Sequence, residues 1–280
     1  MAALIIPCVK THLTYRGQPL VMGVLNVTPD SFSDGGAFAN PKAAVARGIQ
    51  MAAEGADLID IGGESTRPGA RRVSVREELQ RILPVIKRLA TAVRIPLSID
   101  TSKAEVAAHA LAVGASLVND VTALQGDPEM AGVVARHRAA VILMHMRGTP
   151  ATMQRTPRYH DVVQDVLDFL IQAAQRAERS GIHQRRILID PGLGFGKTVR
   201  HNVELLRALP RFLSLGFPLM IGPSRKSFIG RTLNVDIQDR LAGTLACVAH
   251  AQHAGVHIVR AHDVLPAVQL LRMLAVIEQR

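Results

Sequence analysis

Cysteine and aromatic residues are scarce in this chain of 280 residues. The two cysteines, Cys8 and Cys247, lie far apart and belong to no CxxC or Cys/His pattern. This scarcity argues against a disulfide framework and a zinc site, and it is typical of a reducing compartment. Tryptophan is absent, and aromatic residues make up only 3% of the chain. The core must therefore be aliphatic, which suits helices packed on a parallel sheet.

Long hydrophobic runs are also lacking. No apolar run is long enough to cross a membrane, and residues 1–10 lack the basic segment and long apolar stretch of a signal peptide. Hydrophobic residues make up 48% of the chain and charged residues 20%, a balance typical of a folded globular protein. We therefore expect a cytoplasmic protein that makes no contact with a membrane.

Basic residues outnumber acidic ones, and the formal net charge is +10. Such a charge attracts anionic substrates or nucleic acid, although a solvated surface explains any single arginine more simply. The chain has no basic strip interleaved with aromatic residues, the pattern of single-stranded nucleic acid binders. We therefore expect small-molecule substrates and no nucleic acid.

A short apolar run followed by a helical stretch recurs along the chain. The predicted strands are 19–25, 57–61, 96–99, 116–118, 140–144, 186–189, 218–221 and 257–259. Helical spacing is found at 42–53, 75–92, 102–112, 162–179, 240–251 and 265–278. Gly55, Gly114 and Gly255 lie between a helix and the next strand, where a left-handed helix end is expected.

Repeated strand–helix units predict a parallel sheet, either a closed barrel or an open doubly wound sheet. An open sheet gathers its site at one switch point, whereas here nearly every strand ends in polar or glycine residues. We therefore predict an α/β protein with a single (β/α)8 barrel domain over residues 1–280. Residues 1–18 are predicted to form a short N-terminal cap over the bottom of the barrel.

Two aspartates and an asparagine follow apolar runs directly. Asp100, Asn119 and Asp190 would converge at the mouth of a barrel, where strands end. Each aspartate could equally cap the helix that follows it. Together they suit a heterocycle with several N–H groups, because a carboxylate accepts two parallel N–H bonds and an amide both donates and accepts.

Cations follow other strands. Lys226, Arg260, His262 and Arg67 each lie just past a predicted strand end. Basic groups from the last strands of a barrel are typical of a phosphate site, with a basic surface as the alternative. Asn26 ends the first barrel strand and offers a neutral oxygen, which could bind Mg²⁺ together with substrate phosphates and water.

Two tempting motifs fail on inspection. Residues 190–198 resemble a phosphate loop, but Pro191 stands where that loop requires glycine. His145 lies between two methionines, a setting more typical of a structural histidine than of a base or a ligand. We predict neither a nucleotide site nor a catalytic histidine here.

Eight motifs in order resemble those of the dihydropteroate synthases. They begin with NVTPDSFSDGG at 26–36 and DIGGESTRPG at 60–69, and continue at 98–103, 118–120, 143–146, 190–197, 224–227 and 260–264. The resemblance implies a (β/α)8 barrel that joins 6-hydroxymethyl-7,8-dihydropterin diphosphate to p-aminobenzoate. The products would be 7,8-dihydropteroate and diphosphate. It also implies Mg²⁺, a homodimer and a target of sulfonamides.

The resemblance assigns roles residue by residue. The catalytic residues would be Asp100, Lys226 and Arg67. The pterin would be held by Asp100, Asn119, Met144, Asp190, Phe195 and Lys226. The diphosphate would meet Asn26, Thr66, Arg67, Arg260 and His262, with Asn26 also binding the metal. The p-aminobenzoate pocket would be formed by Phe32, Thr66, Pro68, Ser224 and Lys226.

Three other functions compete with this one. A pterin-barrel methyltransferase would share the aspartate and asparagine ring, but it would not need the cations at 224–226 and 260–262. A catalytically silent pterin-binding paralogue finds no support in the positions that we can match. A basic nucleic-acid-binding protein is suggested by the net charge alone, and its binding would fall steeply with salt.

Overall fold

The computed structural model of the protein describes residues 3–28, 40–65, 71–149, 152–153 and 157–278. Within these ranges the strands are β1 (Leu4–Cys8), β2 (Thr11–Tyr15), β3 (Leu20–Asn26), β4 (Leu58–Gly62), β5 (Leu97–Asp100), β6 (Leu117–Asp120), β7 (Ala140–Met144), β8 (Ile187–Asp190), β9 (Met220–Ile221) and β10 (Ile258–Ala261). The helices are α1 (Pro41–Ala53), α2 (Val75–Ala92), α3 (Ala104–Ala112), α4 (Met130–His137), α5 (Val162–Arg179), α6 (Val199–Arg207), α7 (Leu209–Leu213), α8 (Ser227–Leu233), α9 (Leu241–Ala254) and α10 (Val264–Ile277).

Strands β3 to β10 form a parallel sheet in the order β8-β7-β6-β5-β4-β3-β10-β9. A parallel bridge between Ile189 and Leu219 brings β8 next to β9 and completes the ring. Each predicted strand overlaps one of these eight strands. The (β/α)8 barrel is confirmed, and the open doubly wound sheet is excluded.

Successive side chains along each barrel strand alternate between the inside and the helix layer. The lower inward positions form one aliphatic cluster, made of Met22, Leu58, Leu117, Ala140, Ile142, Leu188, Met220 and Ile258. Outward residues such as Ile59, Val118 and Val141 belong to a second cluster that the helices cover. The barrel is thus filled by aliphatic side chains in its lower part, and the upper inward positions remain for polar groups.

The hairpin of β1 and β2 closes the bottom of the barrel. Ile6, Cys8 and Leu13 are buried in the same cluster as the inward strand residues. The amide of Val9 donates to the carbonyl of Ser116, just before β6, at 3.3 Å. The predicted N-terminal cap is therefore confirmed.

Short polar residues and glycines set the helix ends. The side chains of Asn40, Ser74 and Asp161 accept backbone N–H groups at the starts of α1, α2 and α5. Gly55 and Gly255 follow helices with φ of 99° and 86°, as predicted. Among the described residues, none of the helices has the length and hydropathy of a membrane span.

We predict that Ile6→Ala lowers the free energy of unfolding by about 2–5 kcal/mol, because it removes a fully buried side chain and leaves a cavity. Ile5→Ala is the matched control in the same strand, because Ile5 is 54% exposed. Its effect should stay within about 0.5 kcal/mol. Urea denaturation measures both variants, and equal losses would contradict the packing of the hairpin into the barrel.

Candidate active site

The polar residues at the ends of β3 to β6 lie side by side. The register pairs Asn26 with Gly62, Gly62 with Asp100, and Asp100 with Asn119. Asn26 stands four positions above Met22 in its strand and therefore shares its inward side. The same alternation turns Asp100 and Asn119 inward, so these predicted site residues come together at the mouth of the barrel.

An ion-pair network joins the last strand of the barrel, β10, to β4, β5 and β6. Arg260 Nε donates to Asp60 Oδ2 at 2.7 Å, and its Nη2 donates to Asp100 Oδ2 at 2.9 Å. Asp60 Oδ2 also accepts from Asn119 Nδ2 at 2.9 Å. The predicted residues Asp100, Asn119 and Arg260 thus form one connected group, which Asp60 completes.

Asp60 is absent from the predicted site residues, although it is completely buried. It lies in the middle of β4, between two apolar residues, and not at a strand end. Alternation along β4 places Asp60 on the inward side with Leu58 and Gly62. An acid on the inward side of an apolar barrel strand is the signal that would have identified it.

Burial and neighbouring charges shift the pKa values of this group. Burial first, and then the carboxylate of Asp60, raises the pKa of Asp100 to about 7, against the opposing effect of Arg260. Burial also works against the charge of Arg260, but the carboxylates of Asp60 and Asp100 outweigh it and raise the pKa of the guanidinium. Arg260 therefore stays charged, while Asp100 titrates near neutral pH.

The other half of the mouth is formed by Asp190 and Lys226. Lys226 Nζ donates to the carbonyl of Leu193 and lies 4.0 Å from the ring centroid of Phe195. Asp190 Oδ1 accepts from the amide of Gly192 at 2.7 Å. Burial lowers the pKa of Lys226 to about 7 and raises the pKa of Asp190. The opposite charges of Asp190 and Lys226 act on each other, so a ligand that separates or bridges them changes the pKa of both groups.

Glycine in the loop after β8 serves close packing. A Cβ on Gly194 would lie 2.6 Å from Lys226 Cδ, and the φ of this glycine is +82°. The Lys226 side chain can therefore lie directly against the loop backbone only because Gly194 has no side chain. This gives the glycine-rich segment a role other than binding a nucleotide phosphate.

A buried lysine holds the same loop. Lys197 Nζ donates to the carbonyls of Gly192 and Phe195 at 2.9 and 3.0 Å, and it lies 2.9 Å from His145 Nδ1. The His145 ring packs edge-on against Phe169. Burial and the charge of Lys197 lower the pKa of His145 to about 2, so the ring is neutral. This packing agrees with the structural interpretation of His145.

The loops after β9 and β10 are tied to each other. The side chains of Ser224 and His262 meet at 2.9 Å between Oγ and Nδ1. Next to them, Arg225 Nε and Nη2 donate to the two carboxylate oxygens of Asp263 at 2.8 and 2.5 Å. Arg225 has a φ of +55°, which is unusual for a residue with a side chain. The two-point ion pair holds this strained backbone beside Lys226.

Four predicted site residues, Phe32, Thr66, Arg67 and Pro68, lie outside the described residues. The described ends of the β4–α2 connection are held together by Glu64, whose Oε1 accepts from the amide of Val73 at 3.3 Å. Lys103 Nζ pairs with Glu64 and, at 2.5 Å, with the buried Glu78.

Asn26, the predicted metal ligand, is half-buried at the end of β3. No group of three or more His, Cys, Asp or Glu side chains that could hold a metal ion occurs in the described part of the chain. A single amide oxygen at the mouth suits Mg²⁺, because this ion keeps several waters and takes further oxygens from substrate phosphates. The donor set therefore fits Mg²⁺ bound with a phosphorylated substrate.

The chain is similar to proteins of one known family over most of its length. The family model described as pterin binding enzyme matches residues 22–262. The dihydropteroate synthase of Synechocystis sp. is 45% identical over 269 residues, which cover 96% of this chain and 93% of the relative. That of Escherichia coli K12 is 47% identical over 256 residues, covering 91% and 90%. The chain belongs to the dihydropteroate synthase family.

Solved structures of dihydropteroate synthases share the whole fold. The Xanthomonas albilineans enzyme with 4-aminobenzoic acid is 46% identical, covers 100% of both chains and superposes with a TM-score of 0.94. The same organism's enzyme in complex with 7,8-dihydropteroate is 44% identical, covers 99% of both chains and gives 0.90. The Yersinia pestis enzyme with a sulfonamide drug is 42% identical, covers 98% of this chain and 99% of its own, and gives 0.92.

We predict that Asp100→Asn stabilises the protein at pH 8 more than at pH 4. The folded pKa of about 7 lies above the ordinary 3.8, so the folded state binds more protons and the free energy of unfolding falls as pH rises from 3.8 to about 7. The neutral amide removes this loss and can still accept from Arg260. Melting temperatures at both pH values test it, and a variant whose difference from wild type is the same at both would contradict the raised pKa.

Proposed function

We propose that the protein joins 6-hydroxymethyl-7,8-dihydropterin diphosphate to p-aminobenzoate, giving 7,8-dihydropteroate and diphosphate. The observation that carries the proposal is the mouth of the barrel, where buried Asp100, Asn119 and Asp190 stand beside Arg260 and Lys226. Acceptors for a heterocycle thus lie next to cations for an anionic leaving group. Relatives in the same family bind 4-aminobenzoic acid and 7,8-dihydropteroate, one substrate and the product of this reaction.

The pterin would occupy the inner part of this mouth. We assign it Asp100, Asn119, Met144, Asp190, Phe195 and Lys226. A carboxylate accepts two parallel N–H bonds from an amino-pyrimidinone edge. Met144 is buried beside Asp190 in the register of β7 and β8, and the ring of Phe195 is half-buried at the loop above them. These side chains support the assignment, because they offer apolar surface next to the acceptors.

The diphosphate would lie further out. We assign it Asn26, Thr66, Arg67, Arg260 and His262, with Asn26 also holding Mg²⁺. The bound ion would neutralise charge on the leaving diphosphate. Arg260 supports the assignment most directly, because the carboxylates of Asp60 and Asp100 keep it charged although it is largely buried.

The p-aminobenzoate would enter over the last strands. We assign its pocket to Phe32, Thr66, Pro68, Ser224 and Lys226. The contacts of Ser224 Oγ with the amide and the ring Nδ1 of His262 support a defined position for the serine hydroxyl. Because a relative from Yersinia pestis binds a sulfonamide drug, we propose that sulfonamides compete with p-aminobenzoate here as well.

The proposed chemistry relies on charge placement and orientation. As diphosphate leaves, positive charge develops on the pterin methylene and ring, and the carboxylate of Asp100 would stabilise it. The aryl amine of p-aminobenzoate is neutral at pH 7, so its attack needs no strong general base. We propose Asp100, Lys226 and Arg67 as the catalytic residues, and positioning of the two substrates supplies much of the acceleration.

We also propose a cytoplasmic homodimer. The two cysteines, Cys8 and Cys247, are both free, which suits a reducing compartment. On α10, Met273, Val276 and Ile277 are 60%, 73% and 63% exposed. A second copy of the chain that covers this apolar face would support the dimer, and sedimentation of the purified protein measures it.

The proposed function is tested by diphosphate release from the purified protein with Mg²⁺ and 6-hydroxymethyl-7,8-dihydropterin diphosphate. Release should depend on added p-aminobenzoate, and dihydropteroate should form in equal amount. Tight pterin binding without turnover would identify a silent paralogue, and release that ignores p-aminobenzoate would overturn the proposal.

We predict that Lys226→Ala and Asp190→Asn each weaken pterin binding at least about tenfold, because the first removes a half-buried cation and the second the charge of a buried carboxylate. Lys87→Ala, on an exposed position of α2, is the matched control and should bind as the wild type does. Titration calorimetry with 6-hydroxymethylpterin measures the affinities. Wild-type affinity in either site variant would refute its assigned role.

A further inference from the structure

Asp60 is the one member of the buried network to which no substrate contact is assigned. Its side chain is completely buried in the middle of β4. A single oxygen, Oδ2, accepts from Asn119 Nδ2 at 2.9 Å and from Arg260 Nε at 2.7 Å. This oxygen therefore joins a residue assigned to the pterin with a residue assigned to the diphosphate.

The contact determines which way the Asn119 amide faces. Its Nδ2 is engaged by Asp60, whereas its Oδ1 is buried and has no hydrogen-bond partner among the described residues. The reversed amide would set Oδ1 against the carboxylate, so that two acceptors faced each other. Asn119 is thus left with a free acceptor, and a ligand at this position must supply an N–H group.

The same oxygen helps to set the plane of Arg260. The guanidinium is rigid and planar, so contacts at Nε with Asp60 and at Nη2 with Asp100 fix its orientation. The third nitrogen, Nη1, makes no hydrogen bond to the residues that the structure describes. Arg260 therefore keeps N–H groups for an anionic ligand while its other donors hold it in place.

We propose that Asp60 is a positioning residue that serves both ends of the pterin substrate without touching it. It turns Asn119 so that an acceptor meets the heterocycle, and it orients Arg260 for the diphosphate. The inference rests on the proposed function, because it takes from that function the ligands of Asn119 and Arg260.

A merely structural role for Asp60 gives a different result in double-mutant cycles. If Asp60 acts through Asn119, its replacement has little left to remove once Asn119 is gone. If Asp60 only supports the fold, losses from the two positions add. For ligands that carry a diphosphate, losses from Asp60 and Arg260 should likewise be less than additive if Asp60 acts through Arg260, and additive if it only supports the fold.

The test measures binding of 6-hydroxymethylpterin, with and without its diphosphate, to Asp60→Asn, Asn119→Ala, Arg260→Ala and the two double variants with Asp60→Asn. Asp60→Asn alone should weaken the bare pterin about tenfold. With Asn119→Ala present, Asp60→Asn should cost less than about twofold on the bare pterin. With Arg260→Ala present, Asp60→Asn should weaken binding of the pterin diphosphate no more than binding of the bare pterin.

Ser98→Ala is the matched control. Ser98 lies opposite Asp60 in the register of β4 and β5 and is equally buried, and its Oγ has no hydrogen-bond partner in the part of the chain that the structure describes. Its replacement changes the same layer of the barrel without touching Asn119 or Arg260, so both affinities should match the wild type. If Ser98→Ala lost as much affinity as Asp60→Asn, the loss would come from disturbing this layer of the barrel, and the proposal would be overturned.

The exchange variant Asp60→Asn/Asn119→Asp keeps the charge and gives the answer even if Asp60→Asn alone does not fold. Residue 60 then donates, and residue 119 keeps an acceptor for the ligand. Bare-pterin affinity should return to within about threefold of wild type, while Asn119→Asp alone stays weak. No recovery, or additive losses in the cycles, would overturn the role of Asp60. Failure of the wild-type protein to bind the pterin would refute the proposed function instead.

Discussion

One largely buried cation between two carboxylates holds the mouth of the barrel together. Arg260 comes from the last strand and meets Asp60 of β4 and Asp100 of β5. Without this cation, the two acids would face each other in a poorly hydrated interior, where unpaired charge is costly. An aliphatic layer closes the barrel below them. Asn119 is aligned by the same network, so binding geometry across several strands depends on one arginine.

The loops around this network are organised by lysines and glycines that pack against backbone. Lys197 ties the loop after β8 to the end of β7, and Lys226 lies across the same loop because Gly194 leaves room for it. Two lysines near Asp190 therefore have different tasks. Lys197 is buried and donates to three backbone carbonyls, whereas Lys226 is half-buried at the mouth and donates to one, that of Leu193.

The electrostatics of the mouth are balanced near neutral pH. Burial brings the pKa of Asp100 up to about 7 and the pKa of Lys226 down to about 7. At neutral pH each group can therefore gain or lose a proton to suit a bound ligand, at a small cost in free energy. A reaction that separates an anionic leaving group from a cationic carbon benefits from such a site, because the compensating charges are already in position.

The sequence by itself determined the repeated strand–helix unit, the strand ends and the residue types at the mouth. Each of these depends on local spacing and on alternation along a strand. Helical spacing located α1, α2, α3, α5, α9 and α10, whereas the bounds of α4, α6, α7 and α8 came from the structure. Only the tertiary structure decided the partners. Asp60 and Arg260 are 200 residues apart, and closure of the ring brings their strands together through β3. Alternation along a strand determines whether a side chain points into the barrel and at which level it lies. Its partner across the barrel is decided only when the barrel closes and packs.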